Sequence, residues 1–215
     1  MPRVPLLLSI LCSAVYSSSF VLGSFPGRWA VKAASITLLA FLARKYPLLA
    51  LALALGSVGD ALLDISSAYF VYGLVAFLLG HVVYTICFMR TGRLRPGGLA
   101  AVGLVIYSAV FVVWLWPSLG AMRVPVLIYI AAITAMAATS FRVGGWVAVG
   151  AVLFLISDSL LAANRFKMEI PLRDWLVWLT YYGGQVAIAL GYLKVFEMME
   201  TRAYFAASSS WHSHA

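Results

Sequence analysis

The chain has 215 residues, of which 64% are hydrophobic and 10% are charged, and its mean hydropathy is +0.99. These values lie outside the range of soluble globular domains, so most of the surface must face a solvent other than water. The formal net charge of +8 is scattered over short connecting segments and forms no basic run, which argues against a nucleic-acid partner.

Apolar segments separated by Pro, Gly and Arg follow one another along the whole chain. A helix needs about 20 mainly apolar residues to cross a bilayer, and the alternating pattern of a membrane β-barrel is absent from the sequence. We therefore predict an all-α, polytopic membrane helix bundle with about eight transmembrane helices. The predicted spans are 4–23, 29–43, 47–65, 69–89, 98–116, 124–141, 146–163 and 174–196.

The first apolar segment is interpreted as the first span and not as a secretion signal, because no clear small-residue cleavage site follows it. Residues 1–200 are then a single integral membrane domain. The polar, Ser-rich tail 201–215 is predicted to be disordered. In this topology nine basic residues lie on the same side of the membrane as the N-terminus and six lie on the opposite side, which favours an N-terminus on the inner side.

Two pairs of predicted spans share a pattern. Residues 59–63 (GDALL) in the third span resemble residues 157–161 (SDSLL) in the seventh, and Gly80-His81 in the fourth corresponds to Gly184-Gln185 in the eighth. This pattern favours two parallel four-helix repeats, an arrangement that can place a site between the halves. Chance similarity between apolar segments is the alternative.

Few ionisable side chains lie within the predicted spans, and each is costly there without a partner or water, so each is a candidate functional residue. Asp60 and Asp64 share one face of the third span, Asp158 lies at a matching depth in the seventh, and His81 lies midway along the fourth. Interhelical hydrogen bonding is the structural alternative for each, and Asp64 is close enough to the end of its span to be solvated. Further polar candidates are Tyr84, Tyr181, Tyr182, Gln185, Asn164 and Lys32.

Metal and nucleophile chemistry have little support in the sequence. A zinc site usually has three protein ligands, whereas the predicted spans contain one histidine, and Cys12 and Cys87 have the apolar surroundings of core residues. No Gly-x-Ser-x-Gly motif or Cys-His pair supplies a nucleophile. We therefore expect aspartate chemistry with no metal and no cofactor.

At these residues the chain resembles the YhhN family of eight-span membrane proteins, whose animal members include lysoplasmalogenases. The resemblance covers the whole chain in span count and length, and the order and spacing of its motifs are specific. Asp64 does not belong to the family pattern, and the proline that usually follows the family's lysine is missing after Lys32. The matching motifs are residues 59–63, Phe70, Gly73, Phe77, His81, Tyr84, residues 156–158, residues 163–166, residues 180–182 and Gln185.

The resemblance implies hydrolysis of the vinyl ether bond of a lysoplasmalogen to a fatty aldehyde and glycerophosphocholine or glycerophosphoethanolamine. Its partners would be the lysophospholipid substrate and the lipid bilayer, in the endoplasmic reticulum of a eukaryote or the inner membrane of a bacterium. Asp60 and Asp158 would divide the roles of proton donor and stabilising anion, and His81 would orient or deprotonate the water. The tyrosines and Gln185 would support this network, and Lys32 would contact the lipid phosphate.

Two alternatives stay open. The first is a non-catalytic, proton-coupled transporter or lipid-binding membrane protein, in which the aspartates carry protons. It predicts helices broken near mid-depth, and Gly183-Gly184 is the one suggestive break. The second alternative is another membrane lipid hydrolase that acts on an amide, ester or epoxide-like substrate.

Overall fold

The described residues form a bundle of eight α-helices. The structure is a computed structural model that describes the backbone of residues 3–91 and 98–212 and the side chains of residues 4–91 and 98–201. No strand occurs in these ranges, which confirms the all-α prediction. The helices are α1 (Arg3–Leu22), α2 (Arg28–Leu42), α3 (Pro47–Ile65), α4 (Phe70–Thr91), α5 (Gly98–Leu115), α6 (Arg123–Ser140), α7 (Gly145–Phe166) and α8 (Arg173–His212).

Six of these helices, α1 and α3 to α7, are long and apolar enough to cross a membrane. The chain is therefore a multi-pass membrane protein, and the predicted count of eight spans exceeds this number by two. The difference concerns α2, which has only 15 residues, and α8. The first seven predicted spans agree with the helix ends to within three residues, because apolar length and Pro, Gly and Arg positions fix both.

Helix α8 continues to His212, past the predicted end of the last span at residue 196. It includes most of the tail predicted to be disordered, and residues 213–215 of that tail lie outside the described residues. Residues 197–200 are Glu, Met, Met and Glu, which favour a helix. The Nζ atom of Lys45, between α2 and α3, lies 2.7 Å from Oε1 of Glu200, and this pairing raises the pKa of Lys45.

The bundle has two ends. Helices α2, α4, α6 and α8 begin at the end that carries Arg28, Arg123 and Arg173, here called the Arg28 end, and α3, α5 and α7 finish there. Arg93 and Arg95, which contribute to the charge count for orientation, lie outside the described residues. Which end faces the inner side of the membrane therefore stays a prediction.

Helix α1 belongs to the bundle. The hydroxyl of Ser9 donates a 2.6 Å hydrogen bond to the carbonyl oxygen of Ser35 on α2. The indole nitrogen of Trp178 on α8 donates to the hydroxyl of Ser13 at 3.0 Å. These polar contacts between apolar helices are typical of membrane bundles, where small residues and hydrogen bonds hold neighbours together.

Helices α7 and α8 pack closest where glycines face each other. A Cβ atom on Gly150 would lie 2.5 Å from the carbonyl oxygen of Gly184, and one on Gly184 would lie 2.8 Å from that of Gly150. Small residues allow membrane helices to approach backbone to backbone. The Gly183-Gly184 pair thus lies inside a continuous helix, and Gly184 serves packing without breaking that helix.

This packing predicts a stability effect. We expect Gly150→Ala to lower the thermal unfolding midpoint of the detergent-purified protein, because the new methyl group meets backbone atoms that cannot move aside without separating the helices. Overpacking of this kind costs about 1–3 kcal/mol. The matched control is Gly183→Ala, where no described atom lies within 4 Å of the new Cβ. Equal midpoints for the two variants would contradict the prediction.

Candidate active site

Asp60 lies on α3, 2% exposed, and contacts two neighbouring helices. Its Oδ2 atom accepts a 2.6 Å hydrogen bond from the Tyr181 hydroxyl of α8. Its Oδ1 atom lies 3.4 Å from Nζ of Lys32 on α2. Lys32 therefore supplies the positive charge that a carboxylate this deeply buried needs.

Two aromatic rings also contact Lys32. Its ammonium lies 5.4 Å from the ring centroid of Tyr16 and 5.7 Å from that of Trp178, distances typical of cation–π contacts. The structure thus directs Lys32 towards Asp60. The contact between Lys32 and a lipid phosphate stays a prediction.

A chain of hydrogen bonds leads from Asp60 across to α4. Gln185 Nε2 donates to the Tyr181 hydroxyl at 3.3 Å, and the Tyr84 hydroxyl donates to Gln185 Oε1 at 2.6 Å. Gly56 makes room for this chain, because a Cβ there would lie 3.0 Å from Gln185 Nε2. Four of the predicted site residues therefore share one buried network, here called the Asp60 network: Asp60, Tyr84, Tyr181 and Gln185.

Asp64 has ion-pair partners of its own. The Arg28 guanidinium binds it in a bidentate manner, with Nη2 2.7 Å from Oδ1 and Nε 3.1 Å from Oδ2. The Tyr16 hydroxyl donates to Oδ1 at 3.2 Å, and only 6% of the Asp64 side chain is exposed. Protein groups therefore bind Asp64, and the alternative that water alone solvates it is wrong. These partners were not predicted, because the sequence does not show that the start of α2 packs beside the end of α3.

Asp158 on α7 belongs to a second network, here called the Asp158 network, with Tyr129 and His81. The Tyr129 hydroxyl of α6 donates a hydrogen bond to Asp158 Oδ2. Nε2 of His81 on α4 lies 3.0 Å from the same hydroxyl and 3.6 Å from that carboxylate oxygen. Tyr129 therefore stands between the imidazole and the carboxyl group.

The hydrogen-bond directions in the Asp158 network follow from the donor and acceptor inventory. Since the Tyr129 proton points to Asp158, its oxygen can accept from an Nε2–H of His81. His81 is 1% exposed, and its Nδ1 has no hydrogen-bond partner among the described residues. A neutral imidazole with its proton on Nε2 leaves only a lone pair unsatisfied, so we assign this tautomer.

Phe154 lies between the two networks, and Phe77 packs beside it on Tyr181. The Phe154 ring lies 4.8 Å from the His81 ring and 5.0 Å from the Tyr181 ring, and the Phe77 ring lies 5.7 Å from the Tyr181 ring. The sequence suggests one pocket for the aspartates, whereas the structure gives each aspartate its own set of partners. The aromatic side chains pack both sets into one core.

An apolar pocket opens beside Asp158, between α3, α4, α5, α6 and α7. The space between its lining residues is about 670 Å³, a volume that includes open space outside the pocket mouth. Asp60, Lys32 and His81 are not among its lining residues. An apolar pocket with a few polar groups is the usual form of a small-molecule binding site. Its polar lining residues are Tyr107, Ser108, Tyr129, Asp158, Ser159 and Arg165, and its apolar wall includes Leu74, Phe77, Phe111, Ile133 and Leu155.

Two predicted residues have other partners. The Tyr182 hydroxyl lies 2.8 Å from the Ser9 hydroxyl, and its ring stacks on Trp178. The Asn164 side chain accepts a 3.0 Å hydrogen bond from the backbone nitrogen of Ile170, which fixes the connection between α7 and α8. Both residues therefore support the fold around the networks.

Tyr129 is the residue that the sequence reasoning missed. A signal was available, because Tyr129 is a polar group in the middle of an otherwise apolar span, as Tyr84 is. Arg28 is not among the candidates predicted from the sequence either, and its guanidinium binds Asp64. In the described part of the chain, no three His, Cys, Asp or Glu side chains lie close enough to share a metal ion.

The sequence model of the YhhN family matches residues 27–192. A protein of Mycobacterium tuberculosis named lysoplasmalogenase is 34% identical over 180 residues, which are 76% of this chain and 69% of that protein. Lysoplasmalogenase TMEM86A of Bos taurus is 33% identical over 162 residues (69% of this chain, 66% of that protein), and human lysoplasmalogenase TMEM86B is 35% identical over 145 residues (66% and 62%). No solved structure matches the chain.

Proposed function

The chain belongs to the YhhN family, and from this premise we propose that it is a lysoplasmalogenase, which hydrolyses the vinyl ether bond of a lysoplasmalogen to a fatty aldehyde and a glycerophospho-alcohol. Relatives with that name match most of the chain. The observation that carries the proposal is the opening of the Asp158 carboxyl group into an apolar pocket suited to a hydrocarbon chain.

The reaction needs few groups. Protonation of the outer alkene carbon gives an oxocarbenium ion, water adds to the carbon bonded to oxygen, and the hemiacetal breaks down to aldehyde and alcohol. The enzyme must deliver one proton, stabilise a transient cation and admit one water molecule. The proton that leaves the water returns to the donor, so one water is consumed and no net proton.

We assign the proton donor to Asp158. Its side chain is 13% exposed, against 2% for Asp60, and it lines the pocket that Asp60 does not reach. After donation its carboxylate stabilises the oxocarbenium ion and then takes back the proton from the attacking water. Tyr129 holds this carboxyl group in place, and His81 acts through Tyr129 as a positioning residue.

For Asp60 we propose a positioning role, which differs from the equal division of roles predicted from the sequence. Its charge is offset by Lys32, and it holds Tyr181. The Tyr181 ring packs on Phe77, which lines the pocket. Asp60 therefore shapes the wall on which the substrate chain lies.

We also propose that all eight helices cross the membrane as two four-helix repeats. Asp60 on α3 is bound from α2 and α8, and Asp158 on α7 is bound from α6 and α4. When α3 is matched with α7, helix α2 corresponds to α6 and helix α4 corresponds to α8, so each aspartate is bound from equivalent helices. This correspondence supports the repeat beyond the likeness of residues 59–63 and 157–161.

The proposed function is tested by aldehyde release from a lysoplasmalogen incubated with the detergent-purified protein. The saturated ether lysolipid, which has no alkene to protonate, is the control and should release none. An ester lysolipid tests the alternative hydrolase. Well-folded protein that releases no aldehyde would contradict the proposal, and proton-coupled uptake into vesicles would then favour the transporter.

Tyr129→Phe tests the Asp158 network. We expect kcat to fall about 10- to 100-fold with little change in KM, since the variant loses the hydrogen bond to the carboxylate that forms as Asp158 gives up its proton, which is worth about 1.5–3 kcal/mol. Tyr107→Phe is the control, because Tyr107 also lines the pocket but its hydroxyl has no hydrogen-bond partner among the described residues. Similar kinetics for both variants would argue against a role for the Tyr129 hydroxyl.

A further inference from the structure

Arg165 lies in the same pocket as Asp158, on the same helix. Among the pocket-lining residues it is the only Lys or Arg. Arg165 follows Asp158 by seven positions, which is nearly two helical turns, so both side chains leave α7 on one face with a rise of about 10.5 Å between them. Arg165 stands closer to the Arg28 end, and Asp158 lies deeper in the bundle.

The guanidinium of Arg165 is held but not neutralised. Its Cζ atom lies 4.8 Å from the ring centroid of Phe70, a contact that orients the guanidinium plane. It has no hydrogen-bond or ion-pair partner within the described residues. At the same end of the bundle, Arg28 is paired with Asp64 and Arg173 with Asp174. Arg165 is thus an available, oriented cation beside an apolar pocket.

We propose that Arg165 binds the phosphate of a single-chain phospholipid whose reactive carbon lies at Asp158. This inference rests on the proposed function and adds a specificity residue to it. Arginine presents paired N–H donors that match phosphate oxygens, which a point charge cannot do. The phosphate would lie at the pocket mouth, and the alkenyl chain would follow the apolar wall past Asp158.

The dimensions of the ligand agree with this arrangement. Seven covalent bonds join the phosphorus of a lysoplasmalogen to its outer alkene carbon, which gives an extended length of about 9 Å from ordinary bond lengths. The rise of about 10.5 Å between the two residues is similar, and the flexible arginine side chain absorbs the difference. The spacing therefore selects lysolipids in which the alkenyl ether and the phosphate are on the same glycerol.

Binding is tested first with ligands that cannot be hydrolysed. The probes are a saturated ether lysophosphocholine and the matching alkylglycerol, which lacks the phosphate. We expect the wild type to bind the phosphate-bearing lipid about 10- to 100-fold more tightly, and Arg165→Gln to lose this difference. Arg123→Gln is the control: its guanidinium also lies on an aromatic ring, that of Trp116, but Arg123 does not line the pocket. It should keep the difference.

Three results would overturn the inference: no difference between the two probes in the wild type, a difference that persists in Arg165→Gln, or equal competition by a diacyl phospholipid. The last would show that Arg165 binds bilayer headgroups in general. Aldehyde release by the same wild-type preparation is measured separately. Absence of aldehyde with phosphate-dependent binding intact would contradict the proposed function and leave the Arg165 site standing, so the two failures are distinguishable.

Discussion

Asp158→Asn is expected to reduce aldehyde release from a lysoplasmalogen by about 100- to 10,000-fold, the contribution typical of a positioned proton donor. An asparagine keeps the shape of the side chain and can still accept the hydrogen bond from Tyr129. It cannot donate an acidic proton to the alkene carbon or become the anion that stabilises the oxocarbenium ion. The variant should therefore bind the saturated ether lysolipid as the wild type does.

The control for this variant is Asp174→Asn at the start of α8. Asp174 is an exposed aspartate whose partner is the neighbouring Arg173, and it lies away from the pocket. It should keep wild-type kinetics. If Asp158→Asn unfolds at the wild-type temperature and still releases aldehyde at more than one tenth of the wild-type rate, Asp158 is not the donor.

Breaking the buried pair of Asp60 and Lys32 is expected to have the largest effect on stability. Removing one partner leaves the other charge uncompensated in the bundle, which costs about 3–5 kcal/mol. Asp60→Asn and Lys32→Met should each lower the thermal unfolding midpoint strongly and lose activity with it. The double variant Asp60→Asn/Lys32→Met removes both charges and should recover most of the stability, because the two effects are coupled.

Aldehyde release by the double variant decides the role of Asp60. Recovery of activity together with stability is expected for a positioning residue, since asparagine can still accept the hydrogen bond from Tyr181. A stable but inactive double variant would mean that the Asp60 carboxylate takes part in the reaction. The exposed pair of Lys45 and Glu200 is the control, and its neutralisation should leave the midpoint unchanged.

The helices of this protein are predictable from sequence because their apolar lengths and boundaries are local properties. The first seven predicted spans agree with the structure for that reason. The last does not, because α8 continues beyond residue 196 in a more polar segment that carries no apolar signal. The candidate aspartates were also identified from local information, since any carboxyl group inside an apolar span requires an explanation.

The partners of these residues were not predictable, because they depend on which helix faces give contacts in three dimensions. Depth along the spans suggests that His81 joins both aspartates, yet Phe154 lies between its ring and the Tyr181 ring of the Asp60 network. From its position in the sequence Lys32 was expected to contact a lipid headgroup, whereas in the structure it forms an ion pair with Asp60. Close contacts between helices, such as Gly150 against Gly184, determine which faces meet. The sequence of one span alone does not show these contacts.

The backbone contact between α7 and α8 makes one wall of the pocket rigid. Both Asp158 and Arg165 belong to that wall, so opening it for a lipid would require the glycines to separate. The opposite wall includes α5, in which only Ser108 and Leu115 are buried. We therefore expect lipid entry to depend on movement of α5, so that the viscosity and thickness of the surrounding bilayer help to set the rate of substrate exchange.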